Sequence, residues 1–124
     1  MHAEAHFPGR APIDAYGNGG FRFADMSHRG SILILPSGIY AWTVAGMEQV
    51  TPEACAPFLR ELKPPGFVLL GTGVTQHFPD ASLRRLFTEA GLGLEAMSTG
   101  AACRTYNVLL AEGRDVAAGL IAVE

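Results

Sequence analysis

The sequence is almost without lysine. Lys63 is the single lysine among nine basic residues, which stand against twelve acidic ones for a net charge of −3 in 124 residues. Nowhere do Lys and Arg cluster, and nowhere do they interleave with aromatics. That excludes a nucleic-acid binder, whose affinity comes from many neutralised phosphates. Cysteine is scarce too. Cys55 and Cys103 lie far apart, form no CxxC and no zinc spacing, and fall in segments that read as helix. Free thiols in a reducing compartment are expected. His2, His6, His28 and His77 make neither HxxxH nor HExxH, so no metal and no other cofactor is expected. No apolar run approaches the roughly 20 residues that span a bilayer. MHAEAHFPGR has the character of neither a signal region nor a transit peptide. The expectation is a cytoplasmic bacterial protein with no transmembrane segment. The excess of Arg over Lys fits a GC-rich genome.

What is present is apolar. Hydrophobic residues make up 48% of the chain, and a domain of this length buries roughly two thirds of its unfolded surface without a disulfide or metal. Residues 1–10 read as a flexible terminus and 11–124 as one globular α/β domain. Gly17-Asn18-Gly19-Gly20 permits positive φ and joins two short strands, about 12–16 and 20–24. Ser31–Leu35 is a continuous apolar run, Pro36-Ser37-Gly38 a turn, and Ile39–Val44 a further strand. The N-terminal third is therefore antiparallel β.

The pattern then changes period. Thr51-Pro52 is a helix start, with Thr as N-cap and Pro where its missing N–H costs nothing. Cys55, Phe58, Leu59 and Leu62 recur at three and four residue intervals and mark one buried face. Lys63-Pro64-Pro65-Gly66 stops the helix, and Phe67–Leu70 is a short strand. Phe78-Pro79-Asp80 opens a second helix with Leu83, Leu86, Phe87 and Ala90 inward, closed by Gly91. Leu92–Met97 is a strand. Ser98 or Thr99 caps a third helix that Gly113 ends, and Val116–Val123 is the last strand. Strand–helix–strand units of this length need crossovers, which give parallel strands. The fold class expected is three-layer α/β: a central mixed, mostly parallel sheet with flanking helices and an N-terminal antiparallel β-hairpin region.

Ligands of open α/β sheets bind beyond the carboxyl ends of the strands, where helix N-termini offer unpaired N–H groups. Two loops belong there, Gly71-Thr72-Gly73-Val74-Thr75-Gln76-His77 and Ser98-Thr99-Gly100-Ala101. If their strands are neighbours, Gly71, Thr72, Gly73, Gln76, His77, Ser98, Thr99, Cys103 and Arg104 line one crevice. GTG is neither GxGxxG nor a P-loop, so its glycines read first as turn residues. Cys103 carries two readings. A thiol in a helix's first turn beside Arg104 can have a lowered pKa, but a nucleophile also needs a base, and Ala102, Tyr106, Leu109 and Leu110 trace a core stripe beside it. Arg104 reads either as a solvated side chain or as an anion or partner contact. Tyr40 with Trp42, and Phe21 with Phe23, share faces by alternation. They serve the core, or a partner surface if a sheet face is open. No catalytic set emerges.

LLGTG at 69–73, LRRLFTEAGLGLEAMSTGAACRTYNVLLAEGR at 83–114 and VAAGLIAV at 116–123 resemble a family long labelled as a domain of unknown function. It includes the mitochondrial NADH:ubiquinone oxidoreductase (complex I) assembly factor 3 and many short bacterial and archaeal proteins. The resemblance covers nearly the whole chain, and the GTG turn and the STGAACRTYNVLL helix carry it most specifically. It implies a three-layer fold with a central mixed sheet. It also implies a non-enzymatic binding protein whose partners are proteins, among them respiratory complex subunits or other assembly factors. It implies no catalytic residues. A bacterial member would be cytoplasmic, held at the inner membrane through a partner. The alternative is a small-anion binder or enzyme using the helix-end crevice with Cys103 and Arg104. A homodimer has no marked interface.

Overall fold

Each helix begins where its cap stands. In the computed structural model, which describes residues 5–124, the Thr51 hydroxyl accepts from the Ala54 N–H at 3.2 Å to open α1, Pro52–Glu61. The Asp80 carboxylate accepts from Leu83 N at 2.9 Å to open α2, Ala81–Glu89. Ser98 caps Ala101 N to open α3, Thr99–Ala111. Each cap satisfies one of the N–H groups that a helix start leaves without a partner. Gly91 and Gly113 follow α2 and α3 with φ of +74° and +76°, the left-handed backbone that a side chain disfavours and that ends helices.

The strands are β1 (Ala15–Gly17), β2 (Gly20–Phe23), β3 (Met26–Arg29), β4 (Ser31–Leu35), β5 (Gly38–Trp42), β6 (Gly66–Gly71), β7 (Leu92–Met97) and β8 (Val116–Leu120). A three-stranded antiparallel sheet has the order β1-β2-β3, and a five-stranded mixed sheet has the order β5-β4-β8-β6-β7. β3 is a strand the sequence pattern does not lead one to expect, and the first hairpin is shorter than expected. The mostly parallel sheet expected is evenly divided. β6 pairs in parallel with β7 and β8, while β4 pairs antiparallel with β5 and β8. The β4–β5 hairpin joins the same sheet through β8, which supplies the antiparallel half.

Three layers follow. On one face of the large sheet, α1 and α2 cover Leu33, Trp42, Val68, Leu70 and Ala117 with Phe58, Leu83 and Phe87. On the other, α3 and the small sheet cover Ile32, Ile34, Leu69, Val116 and Ala118 with Phe21, Phe23, Ala102 and Tyr106. The crossover through α2 and the return through α3 run in opposite directions across the sheet and on opposite faces. One hand for both requires that arrangement. The middle strand β8 is built of small residues because large ones press on it. A Cβ at Gly119 would lie 2.8 Å from the Trp42 ring and 3.2 Å from Phe58. Burying a side chain the size of Phe58 or Phe87 contributes about 1.5–3 kcal/mol.

The flexible terminus expected at 1–10 is met differently. Residues 1–4 lie outside the described residues. From Ala5 the chain runs along β5, where Phe7 bridges Ile39 and the Ile39 N–H donates to Phe7 O at 3.0 Å. Arg10 pairs with Asp115 and donates through Nε to Val116 O at 2.9 Å. The aromatic faces also resolve. Phe21, Phe23 and Trp42 are buried, so they are core and not a partner surface, while Tyr16 stays 43% exposed.

Candidate functional site

β6 and β7 are neighbours, so the two loops expected to share a crevice do meet. They meet by bonding to each other. Thr72 N donates to Met97 O, and Thr99 N donates to Gly73 O, both at 2.8 Å. Thr99 is fully buried, and its hydroxyl accepts from Gly73 N at 3.0 Å while donating to Ile121 O at 2.7 Å. The buried Thr72 hydroxyl donates to Thr75 O at 2.7 Å and accepts from His77 N at 3.0 Å. Gln76 donates to Ala96 O at 2.8 Å. The polar groups that marked a ligand crevice are directed at the protein's own backbone, and buried polar groups must find such partners.

The glycines serve the same closure. A Cβ at Gly71 would sit 3.0 Å from Leu120 and 3.1 Å from Thr99, and Gly73 has φ of +110°. The start of α3 is also covered, because the Tyr16 hydroxyl packs so close to Gly100 that a Cβ there would clash with it. Thus Gly71, Thr72, Gly73, Gln76, Ser98 and Thr99 are brought together as a lock between two loops. His77 is exposed and bonds to the Thr75 hydroxyl.

Cys103 and Arg104 are not part of that lock. Arg104 is exposed to solvent. Cys103 is 3% exposed among Ile13, Phe21, Ala102 and Tyr106. Burial pushes its thiol up to about 12, and the opposing influence of Arg104 is the smaller. Cys55 is pushed up to about 12 by burial as well. Thiols held so far from their thiolate are poor nucleophiles at neutral pH.

The rest of the α3 motif holds the segment before β1. The Asn107 side chain accepts from Ile13 N and donates to Ile13 O, both at 2.8 Å, as a strand neighbour would. The Tyr106 hydroxyl donates to Ala11 O at 2.9 Å. Within Cys-Arg-Thr-Tyr-Asn, Cys103 thus packs in the core while Tyr106 and Asn107 tether the segment before β1.

What remains open lies further out. Between Thr72 and Asp80 the loop leaves Val74 80% and Phe78 76% exposed. They stand at the carboxyl end of β6, next to β7, which is an edge of the sheet. The sequence reads Phe78 as part of a helix start, but the helix opens at Ala81 and leaves Phe78 in the loop. Its signal was available: two apolar residues in GTGVTQHFPD belong to no helical or strand period.

Residues 13–121 match the family described as "Protein of unknown function (DUF498/DUF598)". The chain belongs to the DUF498/DUF598 family. An uncharacterized protein of Rhodobacter capsulatus is 40% identical over 95% of this chain and 90% of its own. The mouse protein named NADH dehydrogenase [ubiquinone] 1 alpha subcomplex assembly factor 3 is 28% identical over 95% of this chain. The match spans 64% of the mouse protein's length. A crystal structure described as that of an outer membrane protein from Bartonella henselae is 57% identical, with a TM-score of 0.91 over 96% of this chain and 100% of that one. Among the described residues no helix is long and apolar enough to cross a membrane.

Proposed function

We propose that this member of the DUF498/DUF598 family is a non-enzymatic binding protein that assists assembly of a membrane-associated respiratory complex of the NADH dehydrogenase type. One observation carries the reading: the likeness to an assembly factor runs over 95% of the chain. The closed loop lock agrees with it, since the residues best placed for chemistry are occupied by structure. The contact surface we assign is Val74 and Phe78 with the adjoining edge of β7. Exposed large apolar side chains beside an unpaired strand edge favour a protein partner. The partner is a subunit of that complex or another assembly factor. The chain acts in the cytoplasm and reaches the membrane through this partner.

Deleting the gene in the native host tests the proposal. Membranes resolved on native gels should lose assembled NADH dehydrogenase, and the parental gene should restore it. Assembly at the parental level in the deletion strain contradicts it.

A further inference from the structure

The outer face of the small sheet carries a feature unrelated to the assembly reading. Strand alternation sends Phe21 and Phe23 into the core and Arg22 outward. Arg22 lies opposite Ser27 of β3, and Gly20 lies opposite Arg29. Arg22 and Arg29 are therefore diagonal neighbours on one face, a placement that sets them roughly 7–8 Å apart. On the other side of β2, the partners of Arg22 and Gly20 are Ala15 and Gly17, too small to fill the space.

The result is a cavity of about 420 Å³ whose lining includes Arg22, Arg29, Ser27 and, from the β1–β2 turn, Asn18. That volume lies in the range of small-molecule sites, about 300–1,000 Å³. Neither arginine forms an ion pair among the described residues. Glu124 is a carboxylate in this neighbourhood. Its Oε2 and the Arg29 guanidinium both approach Gly19, at 3.5 and 3.9 Å from where a Cβ would be, without pairing.

We propose that this cavity binds a small phosphate-bearing molecule. Two guanidinium groups, one of them near the Glu124 carboxylate, favour an anionic group, and the three acceptor oxygens of a phosphate suit donors arriving from several directions. Two guanidinium forks, the Ser27 hydroxyl and the Asn18 amide supply such donors. A carboxylate, with two oxygens in one plane, is satisfied by a single fork and leaves the second arginine unused.

The test is a nuclear magnetic resonance titration of nitrogen-15-labelled protein with sodium pyrophosphate near neutral pH, at ionic strength held constant with sodium chloride. The expected result is a saturating shift of the Gly17, Gly20, Arg22, Ser27 and Arg29 amides. Arg22→Gln and Arg29→Gln should each weaken binding about tenfold or more, as loss of one charge-assisted contact implies. Arg85→Gln, an exposed arginine on α2, should bind as the parent does. Both sites are exposed, so unchanged melting temperatures would show that the variants fold. Shifts that do not saturate, shifts spread over Arg60, Arg84 and Arg85, or unchanged affinity in the two variants would overturn the proposal. Equal affinity for succinate would overturn the phosphate class.

Discussion

Replacing Thr99 by Val removes the centre of the loop lock at nearly constant volume. The hydroxyl bridges Gly73 N at 3.0 Å and Ile121 O at 2.7 Å, and the side chain is fully buried. In Thr99→Val both partners lose their bond. The Ile121 carbonyl is left in a buried position, and an unsatisfied buried group costs about 1–3 kcal/mol. The Gly73 N–H is half-buried and recovers part of its bond from water. The extra methyl burial offsets somewhat under 1 kcal/mol. The net loss is about 1–3 kcal/mol. With an unfolding entropy of about 2.1 cal/mol/K per residue, 124 residues give about 0.26 kcal/mol/K, so Tm should fall by about 4–12 °C. Thr99→Ser keeps both bonds and should lose about 1 kcal/mol, or about 4 °C. Calorimetry on the three proteins decides the matter. A Thr99→Val protein that melts within a degree of the parent would refute the reasoning, because the hydroxyl would then bridge nothing of consequence.

Gly119→Ala should destabilise by about 1–3 kcal/mol in a urea titration, since Trp42 and Phe58 leave no room for a methyl group. An unchanged midpoint would mean that the Trp42 ring moves freely. Cys55 and Cys103, both pushed up to about 12 by burial, should resist a thiol reagent in the native state and react together on unfolding; rapid native labelling of Cys103 would reopen the nucleophile reading. His28 is held below the ordinary histidine value by burial first and by His6 second, whose ring lies 4.8 Å away, with a backbone bond at Ser31 opposing. Protonation is thus harder in the folded state, so the contribution of His28 is complete above the unfolded value of about 6.5 and is lost as pH falls through the folded one. His28→Gln should flatten the decline in stability on acidification below that value, and parallel pH profiles would contradict the assignment.

The parts of the fold that were legible are those with local chemistry. Thr51, Asp80 and Ser98 announce their helices by short-range hydrogen bonds, and Gly91 and Gly113 announce the ends. β3 was missed because its turn, Ala24-Asp25, takes φ of 50° and 62° without any glycine. MSHR also has little apolar alternation to give it away. Arg22 and Arg29 went unremarked for the same reason, since without β3 they share no face. The two loops expected to face each other do meet, yet whether they leave a space between them was not legible. A threonine hydroxyl in a loop serves a ligand or its own backbone equally well, and only the β6–β7 pairing decides that Thr72 and Thr99 turn inward. Cys103 shows the same limit, because one helical step separates a thiol facing solvent from one buried in the core that also holds Phe21.

The assembly reading stands or falls on what the exposed loop touches. The tagged chain, expressed at native level in its host, should co-purify respiratory-complex subunits or their assembly factors, enriched over an untagged control. A folded variant carrying Val74→Ser and Phe78→Ser should lose them. Recovery of the parental protein alone, or equal capture by the variant, would contradict the account.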